Sequence, residues 1–183
     1  HPAIEALFTI DEETGMTGAL GLKGEFLTGG ILLNLDTEDD DELSIGCAGG
    51  VDVTSTGSYE SEKVKEGLMQ LNIVLNGGAG GHSGMDIHKG IANVNKMMNR
   101  LLLECLGEAD FRLVSLRGGG LRNAIPRESE AVIVLDPQDE TAFKQSLVSS
   151  FQQIQAEYKT TDPGLQVACT SQPNTASVCM PED

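Results

Sequence analysis

Leu68-Met69-Gln70-Leu71-Asn72-Ile73-Val74-Leu75-Asn76, followed by the glycine loop Gly77-Gly78-Ala79-Gly80-Gly81 and then by Ile87 to Leu106, is the stretch that decides the fold. Residues 68–76 alternate polar and apolar in part and stop at the glycines, which predicts a strand. Between Ile87 and Leu106, Ile91, Val94, Met97, Met98, Leu101, Leu102 and Cys105 recur at three- and four-residue spacing. That is the period of a helix with one core face, and Gly107 stops it. Further out, Phe111, Leu113, Val114 and Leu116 predict a second strand and Ala131 to Leu135 a third. Residues 139–159 carry Phe143, Leu147, Val148, Phe151, Ile154 and Tyr158 at helical spacing, and Leu165 to Cys169 predict a last strand. The order β-α-β-β-α-β is the split βαβ, ferredoxin-like arrangement, an α+β fold with two helices on one face of a sheet. A domain over residues 51–170 is expected, followed by a loosely held tail, 171–183, rich in Pro, Ser, Thr and Asp.

The first fifty residues have a different style. Short apolar runs at 3–10, 31–35 and 44–48 are separated by acidic loops and predict strands covered on both faces, part of an α/β domain. Thr14 to Gly24 predicts a short helix, with Asp11 as its cap and Glu12 and Glu13 in its first turn. The strand-like run begins at residue 3 with no initiator Met, so the expectation is a piece of a longer chain. Thr37 to Glu42 lacks the spacing of an EF-hand and reads as a solvated loop.

The chain has 183 residues, 39% of them hydrophobic, enough for a real core. Its 28 acidic and 12 basic residues give a net charge of −16, so most of its surface repels nucleic acid and anionic membranes. No apolar run approaches the roughly 20 residues of a membrane helix, and His1-Pro2-Ala3 shows neither a basic n-region nor an apolar h-region, so no secretion signal is expected in this segment. Cys47, Cys105, Cys169 and Cys179 form no C-x-x-C pair and read as buried or incidental thiols, which makes a cytoplasmic location the expectation.

Three segments carry candidate chemistry. Asp11-Glu12-Glu13 ends one apolar run and Asp36 ends the next. Carboxylates meeting at the edge of a sheet repel unless a cation or proton joins them, so a divalent metal site stands beside the simpler reading of a helix cap. Gly77 to Gly84 fits neither G-x-G-x-x-G, nor a P-loop, nor a G-x-S-x-G elbow. Its glycines allow close backbone approach, and His82 on it can donate near neutral pH; an exposed His on a plain loop is the alternative. Arg117-Gly118-Gly119-Gly120-Leu121-Arg122-Asn123-Ala124-Ile125-Pro126-Arg127 gathers three of the chain's five arginines. This local reversal of charge suits a ligand carboxylate, or pairing with surface acids, and the Asn123 amide either holds a ligand carbonyl or bonds a turn.

Taken together and in order, Thr9-Ile10-Asp11-Glu12-Glu13-Thr14-Gly15, Leu33-Asn34-Leu35-Asp36, Gly80-Gly81-His82-Ser83-Gly84 and Arg122-Asn123-Ala124-Ile125-Pro126 resemble the zinc-dependent M20 metallopeptidases, in their aminoacyl-histidine (Xaa-His) dipeptidase branch. The resemblance runs over nearly the whole chain and fades after about residue 140. It implies a catalytic α/β domain holding two zinc ions, of which residues 1–50 are a part, and a lid or dimerisation domain over 51–170 through which a homodimer forms. By the same resemblance Glu12 is the general base, Glu13 and Asp36 are ligands of the two zincs, His82 contacts the reacting carbonyl of a dipeptide, and Asn123 and Arg122 bind substrate. The family's His-x-Asp motif, bridging aspartate and late histidine ligand do not occur in these 183 residues, so the segment alone is expected to be an inactive fragment. A stand-alone α+β ligand-binding or dimerisation module is the alternative reading.

Overall fold

A computed structural model of the chain describes residues 2–36, 41–46, 49–51 and 53–181. The chain divides into two compact units, residues 1–54 and 55–183.

In the second unit the alternation seen in sequence becomes an antiparallel sheet. Strands β1 (Met69–Asn76), β2 (Phe111–Gly118), β3 (Ser129–Leu135) and β4 (Gln166–Pro173) lie side by side in the order β2-β3-β1-β4. Helices α1 (Val94–Cys105) and α2 (Glu140–Glu157) supply the two crossovers. This is the ferredoxin-like α+β arrangement expected from the order of elements. Leu71, Ile73 and Leu75 of β1 face the helices because side chains two apart share a face. They oppose Ile133 and Ala131 of β3 and Ser171, Cys169 and Val167 of β4 in register. Val94, Met97, Met98, Leu101 and Cys105 of α1 and Phe143, Leu147, Phe151 and Ile154 of α2 complete one continuous core. Phe111 and Phe143 meet edge to face, with ring centroids 5.3 Å apart.

Two expectations in this unit need correction. The helical period from Ile87 to Leu106 does not form one helix: Ile87–Lys89 makes a 3-10 turn, Gly90 turns the chain into the left-handed region at φ 67°, and Asn93 caps α1 by accepting the Lys96 N–H at 3.2 Å. Nor does the tail hang loose. Residues 171–173 extend β4, Val178–Cys179 pairs with Glu62–Lys63, Cys179 is buried, and the Met180 N–H donates to the Leu113 carbonyl at 2.8 Å. Gln70, on the sheet face away from the helices, takes the Thr175 N–H and hydroxyl at 3.3 and 3.2 Å, so the segment has a polar anchor that composition does not reveal.

In the first unit, residues 3–10, 31–35 and 44–46 form no strand among the described residues; Cys47 and Ala48, the end of the third run, lie outside them, as do Thr37 to Asp40 of the acidic loop. No described residue of this unit is buried, and Ile4, Phe8, Ile31, Leu33 and Ile45 are largely exposed. A strand needs a ladder and a covered face, and the unit supplies neither. Its order is local. Glu5 accepts the Thr28 and Gly29 N–H groups at 2.9 and 3.0 Å, and the expected helix over 14–24 shortens to Thr17–Leu20.

Candidate functional site

In the second unit a two-residue antiparallel ladder joins the two glycine-rich loops. Gly81–His82 pairs with Ala124–Ile125, and the Ser83 N–H donates to the Asn123 carbonyl at 2.7 Å. His82 and the segment Arg122-Asn123 are thereby brought together, although forty residues separate them in sequence. His82 is exposed, with its ring oriented by backbone: Gly84 and Met85 donate their N–H groups to Nδ1 at 3.1 and 3.2 Å. A ring nitrogen that accepts has no proton of its own, so in the neutral imidazole the proton sits on Nε2. The backbone of His82 is held from the same turn, its N–H donating to Asp86 Oδ2 at 2.7 Å. Asp86 also pairs with Lys89 Nζ at 2.6 Å, and the Lys89 bond, then the His82 N–H, holds its carboxyl below the usual range.

A groove of about 550 Å³ lies beside this ladder, bordered by Ser83, Asn93 and Asn95 on one side and by Gly118 to Arg122 on the other. Arg122 lines it. Arg127 instead lies against Gly80, its carbonyl accepting the Gly78 N–H at 3.2 Å, and Arg117 is exposed on β2. Asn95, which sequence reasoning passed over as a polar residue on an apolar helix, places its side-chain oxygen beneath Gly118 with no hydrogen-bond partner among the described residues; a Cβ on Gly118 would stand 1.8 Å from that oxygen. Asp86 was equally hidden, since only the folded turn brings its carboxylate to the His82 amide.

In the first unit Glu12, Glu13 and Asp36 are all exposed. Asp11 rather than its neighbours is engaged, taking the Thr14 hydroxyl and the Thr17 hydroxyl, the latter at 2.8 Å, and these bonds lower its pKa. The Asp36 N–H donates to Asn34 Oδ1 at 3.0 Å. Among the described residues no three His, Cys, Asp or Glu side chains come together to hold a metal ion. Zinc takes three or four protein ligands, so the carboxylates present do not by themselves fit that metal. Among the described residues no helix is long and apolar enough to cross a membrane.

Comparison with known proteins agrees with the fold of the second unit. Residues 66–162 match the M20 peptidase dimerisation domain. The cytosol non-specific dipeptidase of Escherichia coli is 44% identical over 154 residues, which is 84% of this chain and 32% of that protein. The crystal structure of aminoacylhistidine dipeptidase from Vibrio alginolyticus superposes with a TM-score of 0.71 at 37% identity, over 93% of this chain and 35% of that one. The chain thus spans about a third of the length of these relatives. With the dimerisation domain matched over more than half of its residues, the chain belongs to the M20 peptidase family.

Proposed function

We propose that this chain is the lid, with a flanking part of the catalytic domain, of a cytoplasmic zinc-dependent dipeptidase that hydrolyses Xaa-His dipeptides. In this reading residues 1–50 belong to the metal-binding domain and 51–170 to a lid that also mediates a homodimer. The observation that carries it is the His82 ring: two backbone N–H groups occupy Nδ1, which leaves Nε2–H as a donor on an exposed loop. Such a donor, set before the reaction begins, suits the oxygen of a peptide carbonyl, where negative charge develops as water adds. Asn123, tied to the same ladder, binds the substrate backbone, and Arg122 on the groove wall takes its terminal carboxylate. Glu12 acts as general base toward the attacking water. Glu13 and Asp36 are metal ligands, completed by residues outside these 183.

Likeness to two proteins named as dipeptidases supports this reading over a stand-alone ligand-binding module. One of them is named for aminoacylhistidine substrates and the other as non-specific, so the assay must include dipeptides with and without histidine. The test uses the full-length polypeptide that carries this segment. Chelation is expected to abolish hydrolysis of Xaa-His dipeptides, Glu12→Ala to abolish turnover, and His82→Ala to lower kcat by about a hundred- to a thousandfold, the usual size of one lost oxyanion donor. Undiminished turnover after chelation, or in both variants, overturns the assignment.

A further inference from the structure

Asp162 lies in the turn between α2 and β4, far in sequence from both glycine loops, and it is 1% exposed. Its two carboxylate oxygens are divided between two distant segments. Oδ1 accepts the N–H of Ala79 at 2.8 Å, and Oδ2 accepts the N–H of Ala92 at 2.9 Å. Ala79 precedes His82 by three residues, on the same loop. Ala92 precedes the Asn93 cap, after which the Val94 N–H donates to the carbonyl of Pro126 at 3.1 Å, the residue that follows the Ala124–Ile125 strand paired with His82. The backbone of Asp162 is fixed to the scaffold: its N–H donates to the Tyr158 carbonyl at 2.8 Å, and its own carbonyl accepts the Leu165 N–H at 3.1 Å. The loop is also pressed against this turn at Gly77, whose φ is +80° and where a Cβ would stand 1.9 Å from the Gly164 carbonyl oxygen. Burying a carboxylate is costly unless hydrogen bonds replace its water, and here each oxygen accepts from one of the two segments that frame His82.

We infer that Asp162 is a positioning residue, a buried carboxylate clamp that holds the His82 loop and the start of α1 at a set spacing so that Nε2 meets the substrate carbonyl. This rests on the role proposed for His82. Asp162→Asn keeps the volume but turns one acceptor into an NH2 group that faces a backbone N–H, so one of the two segments is released. A misplacement of about 1 Å at a reacting group can cost up to about a hundredfold in rate.

The experiment compares Asp162→Asn, His82→Ala and the double variant in the full-length enzyme, with Ile154→Ala, a buried core residue of α2, as a control for lost stability. Asp162→Asn is expected to lower kcat by about ten- to a hundredfold with KM changed less than about threefold. The double variant is expected to lose no more than His82→Ala alone, since the clamp acts through that ring. Ile154→Ala is expected to lower Tm while kcat holds. If Asp162→Asn does not fold, Gly77→Ala, which displaces the same loop and keeps the carboxylate, is expected to show the same non-additive loss. A kcat within twofold of the parent in the folded variant, or losses that add to those of His82→Ala, or an equal loss in Ile154→Ala, overturns the clamp. If His82→Ala alone leaves kcat intact, the His82 role fails and the clamp falls with it, an outcome distinct from those three.

Discussion

The N–H groups of Gly84 and Met85 converge on His82 Nδ1, and that convergence has a spectroscopic signature. Nitrogen NMR of the neutral ring should show an unprotonated Nδ1 and a protonated Nε2; the opposite tautomer would remove the donor on which the proposed chemistry depends. The Asp86 carboxylate, a few residues on, adds a pH dependence. Its native pKa is lowered by Lys89 and by the His82 N–H, below the ordinary aspartate value of about 3.9. Its contribution to stability is therefore present above that ordinary value and is lost as pH falls through the lower native one. The His82 amide resonance should accordingly report the Asp86 titration at a pH lower than that of an unpartnered aspartate, and Asp86→Asn should abolish that step. A midpoint at or above the ordinary value contradicts the contact.

At the level of elements, α2 is held to its neighbours by two kinds of interaction of unequal weight. Phe143 is fully buried against Phe111, and Phe143→Ala should destabilise the second unit by about 3–5 kcal/mol in denaturant unfolding, the usual cost of emptying an aromatic core site. Arg100 of α1 grips Glu157 of α2 with two bonds of 2.8 and 2.9 Å, but both side chains are a third exposed or more. Arg100→Ala should therefore cost no more than about 1 kcal/mol, and a loss rivalling Phe143→Ala would contradict that ranking. The elements of the sheet were legible because Leu71, Ile73 and Leu75 alternate, and α2 because its apolar period is uninterrupted. The start of α1 was not, because Ile91 keeps the helical period while Gly90 and the Asn93 side chain end and restart the helix. His82, Arg122 and Asn123 could be singled out by their loops. The ladder that joins them, and the reach of Asp162 to Ala79 and Ala92, depend on pairings across dozens of residues, and an Asp-Pro-Gly sequence announces only a turn.

On the scale of the whole molecule the two units differ in what they can do alone. Residues 55–183 enclose a core, whereas no described residue of 1–54 is buried and its apolar runs face outward. The carboxylates of the first unit form no metal-binding group among the described residues, so the purified 183-residue chain is expected to show no Xaa-His hydrolysis with or without added zinc. Measurable turnover by that chain would refute the reading of a fragment. Among the described residues the early runs form no strand for a related reason: they read as fully covered strands, and coverage is a property of neighbours that a local pattern does not contain.

The small ladder between Gly81–His82 and Ala124–Ile125 has a practical consequence for protein engineering. Because each loop is the other's hydrogen-bonding template, neither can be grafted from a relative by itself without breaking the register that seats it. The pair forms a single exchangeable cassette, and attempts to retune selectivity should transplant both arms at once.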